Sequence, residues 1–385
     1  MKKGYLQKIR HWIVPVVFLG MLIGGGVWQS FTPDRDYSVY ERRLLQQRPA
    51  LTVAHILDAS YMSDYEAYLT DQFPMRDHWI TMKTYAGLLL GQREFGGVYI
   101  TENDGLIELH RMSEMDDGRI ESNTGTLVSF AEEMIGRLGT DHVRVMLVPT
   151  ADCIKKNKIP DGAGLFDQSA YLQKLHETFA QMSYGGVLVP VEAALMTHAG
   201  EAVYYKTDHH WTMLGAYYGY TAYAGEHAKT LDDFSFRVIT DCFTGTVAAK
   251  CGMYRMKDEI VLAYPKKEQE YLVNHNEGAR INNSLYEEDK AYGDDPYAVY
   301  LGGNDAIVTV ETGCGTGRSL LIVRDSYANC FVPYLTQEYE KITLIDLRYY
   351  NGSVTKLVGE GYTDILVLYN LPNFLSDRQV YKLLR

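Results

Sequence analysis

The sequence predicts an α/β protein built on a parallel sheet with helices on both faces. Three observations predict it. Short, nearly unbroken apolar runs recur at residues 143–148, 187–189, 320–323, 342–345 and 365–368. Runs of that kind suit strands buried on both faces. Helix-like segments alternate with them, at residues 124–138, 167–182, 213–228, 327–339 and 353–359. Finally, 46% apolar and 22% charged residues in 385 leave ample material for a large core.

In chain order, Lys2, Lys3, Lys8 and Arg10 precede an apolar run over residues 12–28. That run is near the lower limit of the ~17–25 residues that span a bilayer. The basic flank predicts an uncleaved anchor, with the N-terminus in the cytoplasm and the rest outside. Residues 29–52 are polar and charged and read as a juxtamembrane linker. Residues 58–91 read as helix interrupted at Phe73-Pro74. Val98-Tyr99-Ile100 and Leu106-Ile107-Glu108 flank Asn103-Asp104-Gly105, a hairpin signal.

The main domain follows. Within it, residues 232–317 break the strand–helix rhythm and are rich in polar residues. They read as an insertion of hairpins and loops, suited to a lid or substrate platform. The expected division is residues 1–30 for the basic tip and anchor, 31–120 for the linker and leading segment, and 121–385 for the catalytic domain.

A formal net charge of -12 with no basic stripe excludes a nucleic-acid role. The 31 tyrosines read chiefly as packing residues. Cys153, Cys242, Cys251, Cys314 and Cys330 match no metal-ligand spacing. Cys242 and Cys251 are close enough to bridge a hairpin, and the odd count leaves at least one thiol unpaired.

Two stretches carry chemistry. Asp208-His209-His210-Trp211 follows the apolar run Ala202-Val203-Tyr204-Tyr205. At a strand end, residues two apart share a side, so Asp208 and His210 are presented together. The carboxylate then holds one ring nitrogen and the other faces a nucleophile. No third ligand makes this a convincing metal site. Arg324-Asp325-Ser326-Tyr327 follows the run 320–323 and precedes a helix-like segment. A serine at that turn is either a helix cap or a nucleophile, with the first helical N–H groups as an oxyanion hole.

The Asp208-His209-His210-Trp211 run resembles the signature of the DHHW family of exported bacterial proteins. That family is similar to the alginate O-acetyltransferases, which are SGNH-hydrolase-like. Arg324-Asp325-Ser326-Tyr327 resembles their Gly-Asp-Ser block, with arginine in place of glycine and the serine coming last. Asp71-Gln72-Phe73-Pro74-Met75-Arg76-Asp77, Val98-Tyr99-Ile100, Val148-Pro149-Thr150 and Asp346-Leu347-Arg348 add support.

The resemblance implies a three-layer α/β/α catalytic domain with permuted motif order. It implies Ser326 as nucleophile, His210 as general base and acid, and Asp208 as its orienter. Gly302-Gly303-Asn304-Asp305 is similar to a Gly-x-Asn-Asp block, which makes Asn304 an oxyanion candidate; a plain turn is the other reading. Arg324 and Arg348 are candidates for substrate binding or for structural ion pairs. Trp211 is a candidate sugar platform or a packing residue.

The expected function is a membrane-anchored, extracytoplasmic O-acetyltransferase acting on a cell-surface or secreted polysaccharide, without metal or organic cofactor. A membrane-bound O-acyltransferase would deliver the acetyl group. A glycan acetylesterase and a non-catalytic glycan-binding or assembly protein are the rival readings.

Overall fold

A computed structural model describes residues 2–41, 43–102, 105–359 and 361–385; the side chains of residues 2–11 and 14 lie outside that description. The chain divides into two compact units. The smaller holds residues 1–92 and 251–254, the larger residues 93–250 and 255–385.

In the smaller unit, a helix runs over Lys2–Phe31. Among the described residues no helix is long and apolar enough to cross a membrane. Helices Ser60–Asp71 and Arg76–Leu89 are separated at Phe73-Pro74, where the missing proline N–H ends the first. Asp71 accepts from both terminal nitrogens of Arg43, at 2.7 and 2.6 Å. The Thr84 hydroxyl donates to the Cys251 carbonyl at 2.6 Å.

The larger unit is built on a seven-stranded sheet. Its strands are β1 (Val143–Val148), β2 (Tyr271–His275), β3 (Arg280–Asn282), β4 (Ile307–Thr312), β5 (Ser319–Arg324), β6 (Lys341–Ile345) and β7 (Asp364–Asn370). Their spatial order is β3-β2-β4-β6-β5-β7-β1. β6, β5, β7 and β1 are mutually parallel, the part that the apolar runs predict. β4, β2 and β3 add antiparallel, so the sheet is mixed. These three strands lie in residues 232–317, which therefore extend the sheet as well as supplying loops. β2 and β3 are joined through Asn276–Gly278, too short for a parallel crossover.

Residues 187–189 make an isolated bridge and not a strand. Val189 N–H donates to Val145 O and Val145 N–H to Val187 O, both at 2.8 Å. Pro190 follows directly and cannot donate to a longer ladder.

Alternation along the strands sends side chains to both faces. Leu320 and Ile322 join one buried cluster, with Trp211 and Tyr220. Leu321 and Val323 join another, with Leu127, Phe130 and Phe179. Helices Asp117–Leu138 and Gln168–Gln181 feed the second cluster and Met213–Ala224 the first. The hairpin of Val98–Ile100 with Leu106–Glu108 is present; its turn residues Asn103 and Asp104 lie outside the described residues. All five cysteines are free thiols, so Cys242 and Cys251 are not bridged.

Candidate active site

β5 ends at Arg324, and the chain turns at Asp325 into a single 3-10 turn, Ser326–Ala328. Asp325 anchors that turn. One carboxylate oxygen accepts the Tyr327 N–H at 3.0 Å; the other accepts the Asn370 N–H at 3.0 Å and the Asn373 amide at 2.8 Å. These bonds tie the end of β5 to the end of β7. They keep Asp325 hydrogen-bonded although burial pushes its carboxyl above the ordinary range. Ser326 therefore stands, half-buried, at the carboxyl edge of the parallel strands, where α/β sheets place their ligand sites.

The helix expected over 327–339 does not form as one element. After the 3-10 turn only a short helix, Val332–Leu335, follows, with Pro333 in its first turn. The expected oxyanion hole changes with it. The Tyr327 N–H is spent on Asp325, Ala328 N–H on the Asp325 carbonyl and Asn329 N–H on the Ser326 carbonyl. Among the described residues the Ser326 N–H is the donor left at that turn.

The other half of the site is a tight antiparallel turn. Tyr204 bridges Trp211, Tyr205 N–H donates to His210 O at 3.2 Å, and Thr212 N–H donates to Val203 O at 3.0 Å. Thr212 then caps Met213–Ala224 through its hydroxyl, which accepts Gly215 N–H at 3.1 Å. The tip of this turn holds Asp208 and His210 side by side. His210 Nδ1 lies 2.5 Å from Asp208 Oδ1, and His210 Nε2 lies 2.7 Å from Ser326 Oγ. With the carboxylate on Nδ1, the proton of the neutral ring sits there and Nε2 is free to accept from the serine hydroxyl. Residues 116 positions apart in sequence thus meet within hydrogen-bond reach.

Several residues that shape this centre carry no sequence signal. Thr246 donates its N–H to Asp208 Oδ2 at 2.9 Å and its hydroxyl approaches the same oxygen at 3.3 Å. Gly245 lies against the carboxylate: a Cβ there would meet Asp208 Cβ at 2.2 Å. Tyr297 stacks on the His210 ring, centroids 3.7 Å apart and planes 10° apart. All three come from the polar stretch 232–317, where only their spatial neighbours give them meaning.

The remaining candidates separate by what they touch. Trp211 is fully buried, and its Nε1 donates to the Tyr327 carbonyl at 3.0 Å, so it clamps the two motifs and presents no face to a sugar. His209 bonds Thr246 Oγ1 at 2.9 Å. Arg348 grips Asp346 through Nε at 2.9 Å and Nη2 at 2.5 Å, an ion pair at the end of β6. Arg324 is fully buried and donates from Nη1 to Asn304 Oδ1; among the described residues its Nε and Nη2 have no partner. Burial lowers its pKa, against the pull of Asp346. Asn304 is exposed, and the same oxygen also accepts from the Asn329 amide at 3.1 Å. Among the described residues the Asn304 amide hydrogens are unspent.

Ligand atoms of Asp208, His209 and His210 lie within 4.8 Å of one another, the one metal-sized set among the described residues. The hydrogen bonds above already occupy both Asp208 oxygens and both His210 nitrogens. The arrangement is thus better suited to proton transfer than to holding a cation.

Residues 121–345 match the DHHW protein family. The chain belongs to that family. Two solved structures share the fold of this DHHW protein. A DHHW family protein from Eubacterium siraeum is 24% identical with a TM-score of 0.63, covering 75% of this chain and 95% of its own. Bacillus cereus PatB1 with a sulfonyl adduct is 17% identical with a TM-score of 0.58, covering 75% of this chain and 100% of its own. Among curated proteins none matches.

Proposed function

We propose that this DHHW protein is an SGNH-like serine O-acetyltransferase that acts outside the cell membrane on a surface or secreted polysaccharide. The observation that carries the proposal is the continuous chain of contacts from Asp208 through His210 to Ser326.

In the first half-reaction, Ser326 Oγ attacks the acetyl carbonyl of the donor while His210 Nε2 takes the hydroxyl proton. The carbonyl oxygen becomes an oxyanion, with the Ser326 N–H and the Asn304 amide as candidate donors. Collapse breaks the bond to the donor's leaving group, which receives the proton from His210. In the second half, a sugar hydroxyl gives its proton to His210 and attacks the acetyl-serine. Return of the proton to Ser326 Oγ releases the acetylated sugar. Asp208 stays ionised and stabilises the imidazolium in both halves. Tyr297, stacked on the ring, favours that cation by the attraction of its π face.

Acetyl-CoA is absent outside the cell, so the donor in this proposal is a membrane-bound O-acyltransferase. The Lys2–Phe31 helix is proposed as the anchor, on the support of its basic start and of exposed apolar residues such as Trp12 and Phe18. Release of the protein from membranes by salt alone would argue against that assignment.

The central test uses p-nitrophenyl acetate with an oligosaccharide acceptor. The wild-type protein should release nitrophenolate and yield acetylated sugar, and the peptide containing Ser326 should carry one acetyl group after rapid quenching. The Ser326→Ala variant should do neither; unaltered activity in that variant would sink the mechanism. A sulfonyl fluoride should label Ser326 and block turnover, since such reagents need an activated serine. Nitrophenolate release without sugar acetylation, at saturating acceptor, would favour a hydrolase.

A further inference from the structure

Beside the turn that carries Asp208 and His210, a cavity of about 900 Å3 opens in the larger unit. Tyr205, Lys206 and Thr212 contribute to its wall, whereas the three side chains of the acid–base–serine chain do not.

Lys155, Lys158, Lys206 and Lys257 line this cavity, in a chain whose net charge is -12. The first three sense one another. Lys155 is half-buried, its Nζ 5.9 Å from the centre of the Tyr204 ring. Burial, then the neighbouring Lys158 and Lys206 amines, bring its pKa down to about 8 against the pull of Asp258. Among the described residues none of these three amines forms an ion pair.

Glu201, Asp241, Asp258 and Glu259 line the cavity too, and Asp258 pulls on Lys155, but among the described residues none of them forms an ion pair with these three amines. Asp258 directs its oxygens to the Lys206 N–H at 3.1 Å, the Thr207 N–H at 2.7 Å and the Thr207 hydroxyl at 2.6 Å. Glu201 accepts from His198 and from the Tyr218 hydroxyl. Asp241 is exposed and accepts from the Cys242 thiol at 3.1 Å, and Glu259 is exposed; exposed charges of this kind are screened by solvent. Like-charged amines gathered around a cavity repel one another, and an incoming anion relieves that repulsion. The same wall offers an apolar face: Phe236 is 44% exposed and Leu231 37%. An exposed ring beside cationic groups suits the apolar face of a sugar ring that carries an acidic substituent.

We propose that this cavity binds an acidic oligosaccharide, with its carboxylate or phosphate groups on Lys155, Lys158 and Lys206 and a sugar face on Phe236. The proposal rests on the polysaccharide reading above and names the chemistry of the chain to be recognised. The binding step itself needs no Ser326.

The test is calorimetric titration of the Ser326→Ala protein, which cannot turn over. The probes are an oligogalacturonate, a phosphodiester-linked oligosaccharide and a neutral cello-oligosaccharide. At least one acidic probe should bind, more weakly as salt rises, and the neutral probe should not match it. Binding of the uronate alone or of the phosphodiester alone identifies the acidic group. The Lys155→Gln/Lys206→Gln variant should weaken acidic binding by about tenfold or more, the loss of one charge-assisted hydrogen bond. Lys158→Gln/Lys206→Gln, at two exposed positions, gives a second readout should burial make Lys155 intolerant of change. Equal binding of the neutral probe, no binding of either acidic probe, or unchanged affinity in both variants would overturn the proposal. A failure here with intact acetylation of Ser326 leaves the serine chemistry standing, and labelling of Ser326 tests that chemistry separately.

Discussion

The Trp211 indole donates to the Tyr327 carbonyl at 3.0 Å while the Tyr327 hydroxyl donates to the His209 carbonyl at 2.5 Å. Each motif thus holds the backbone of the other, one residue before His210 and one beyond Ser326. The rings also pack, centroids 5.4 Å apart. This reciprocal clamp sets the His210–Ser326 distance without using either functional side chain.

Trp211→Phe keeps most of the buried ring but removes the N–H. The Tyr327 carbonyl is then left with the long Cys330 thiol contact at 3.8 Å, at a cost of about 1–3 kcal/mol. Chemical denaturation should show that loss. Acyl transfer should fall further than stability predicts, because the serine turn loses its tether. Equal kcat in wild type and variant would show the clamp to be dispensable.

Tyr297→Leu should remove the stacking face of His210. An imidazolium less well supported in the transition state lowers kcat with little change in KM. Tyr297→Phe keeps the ring and loses only the long hydroxyl contacts, 3.5 Å to the Ser326 carbonyl and 3.3 Å to Cys330 Sγ. It should behave nearly as wild type. If the two variants fall together, the hydroxyl and not the stacked face is what matters.

Gly245→Ala forces a methyl group into the Asp208 carboxylate, which already sits 2.5 Å from the ideal Cβ position. The protein should still fold, losing about 1–3 kcal/mol as overpacked sites do. The displaced carboxylate should cost most of the activity at every pH. Full activity in a variant of normal melting temperature would remove the importance assigned to the Gly245–Thr246 cradle.

A second histidine–carboxylate pair makes a pH prediction. Asp152 accepts from His110 N–H at 2.8 Å, from the Thr150 hydroxyl at 2.6 Å and from the Gln168 amide at 2.9 Å. His110 Nδ1 is 3.1 Å from the same carboxylate. Burial opposes charge on His110, yet the Asp152 partner raises its pKa overall above the ordinary 6.5. Burial likewise works against the Asp152 charge, but His110 holds its pKa below the ordinary 3.8. A raised histidine contributes stability that is complete below its unfolded pKa and is lost as pH climbs through the folded value. The lowered aspartate contributes stability above its unfolded pKa, lost as pH falls through the folded value. Urea midpoints should therefore decline on the alkaline side of pH 6.5, and His110→Gln should flatten that decline. An unchanged slope in the variant would assign the decline to other groups.

The sequence by itself determined the parallel core and the two motif stretches. Unbroken apolar runs leave a strand no face but a buried one, and Leu320 to Val323 indeed divide between the two clusters. The Asp-x-His spacing likewise marked the pair, although a bend at residues 206–210, with the His210 N–H on Asp208 Oδ1 at 3.1 Å, and not an extended strand end, brings the two side chains together. Pairing across long sequence separations is a different matter. The antiparallel β2 and β3 arise in a polar stretch whose strands bury only part of their surface, so periodicity is weak there. The helix after Ser326 is interrupted ahead of Pro333, which has no N–H to continue the ladder, while Asp325 is tied to Asn370 and Asn373 by contacts no local pattern records. The same holds for the residues around the site. Gly245, Thr246 and Tyr297 act through contacts with Asp208 and His210, and only the closed tertiary structure creates those contacts. The roles of Trp211 as clamp and Arg348 as ion-pair partner were settled in the same way, because a side chain's neighbours, and not its chemistry alone, decide what it can touch.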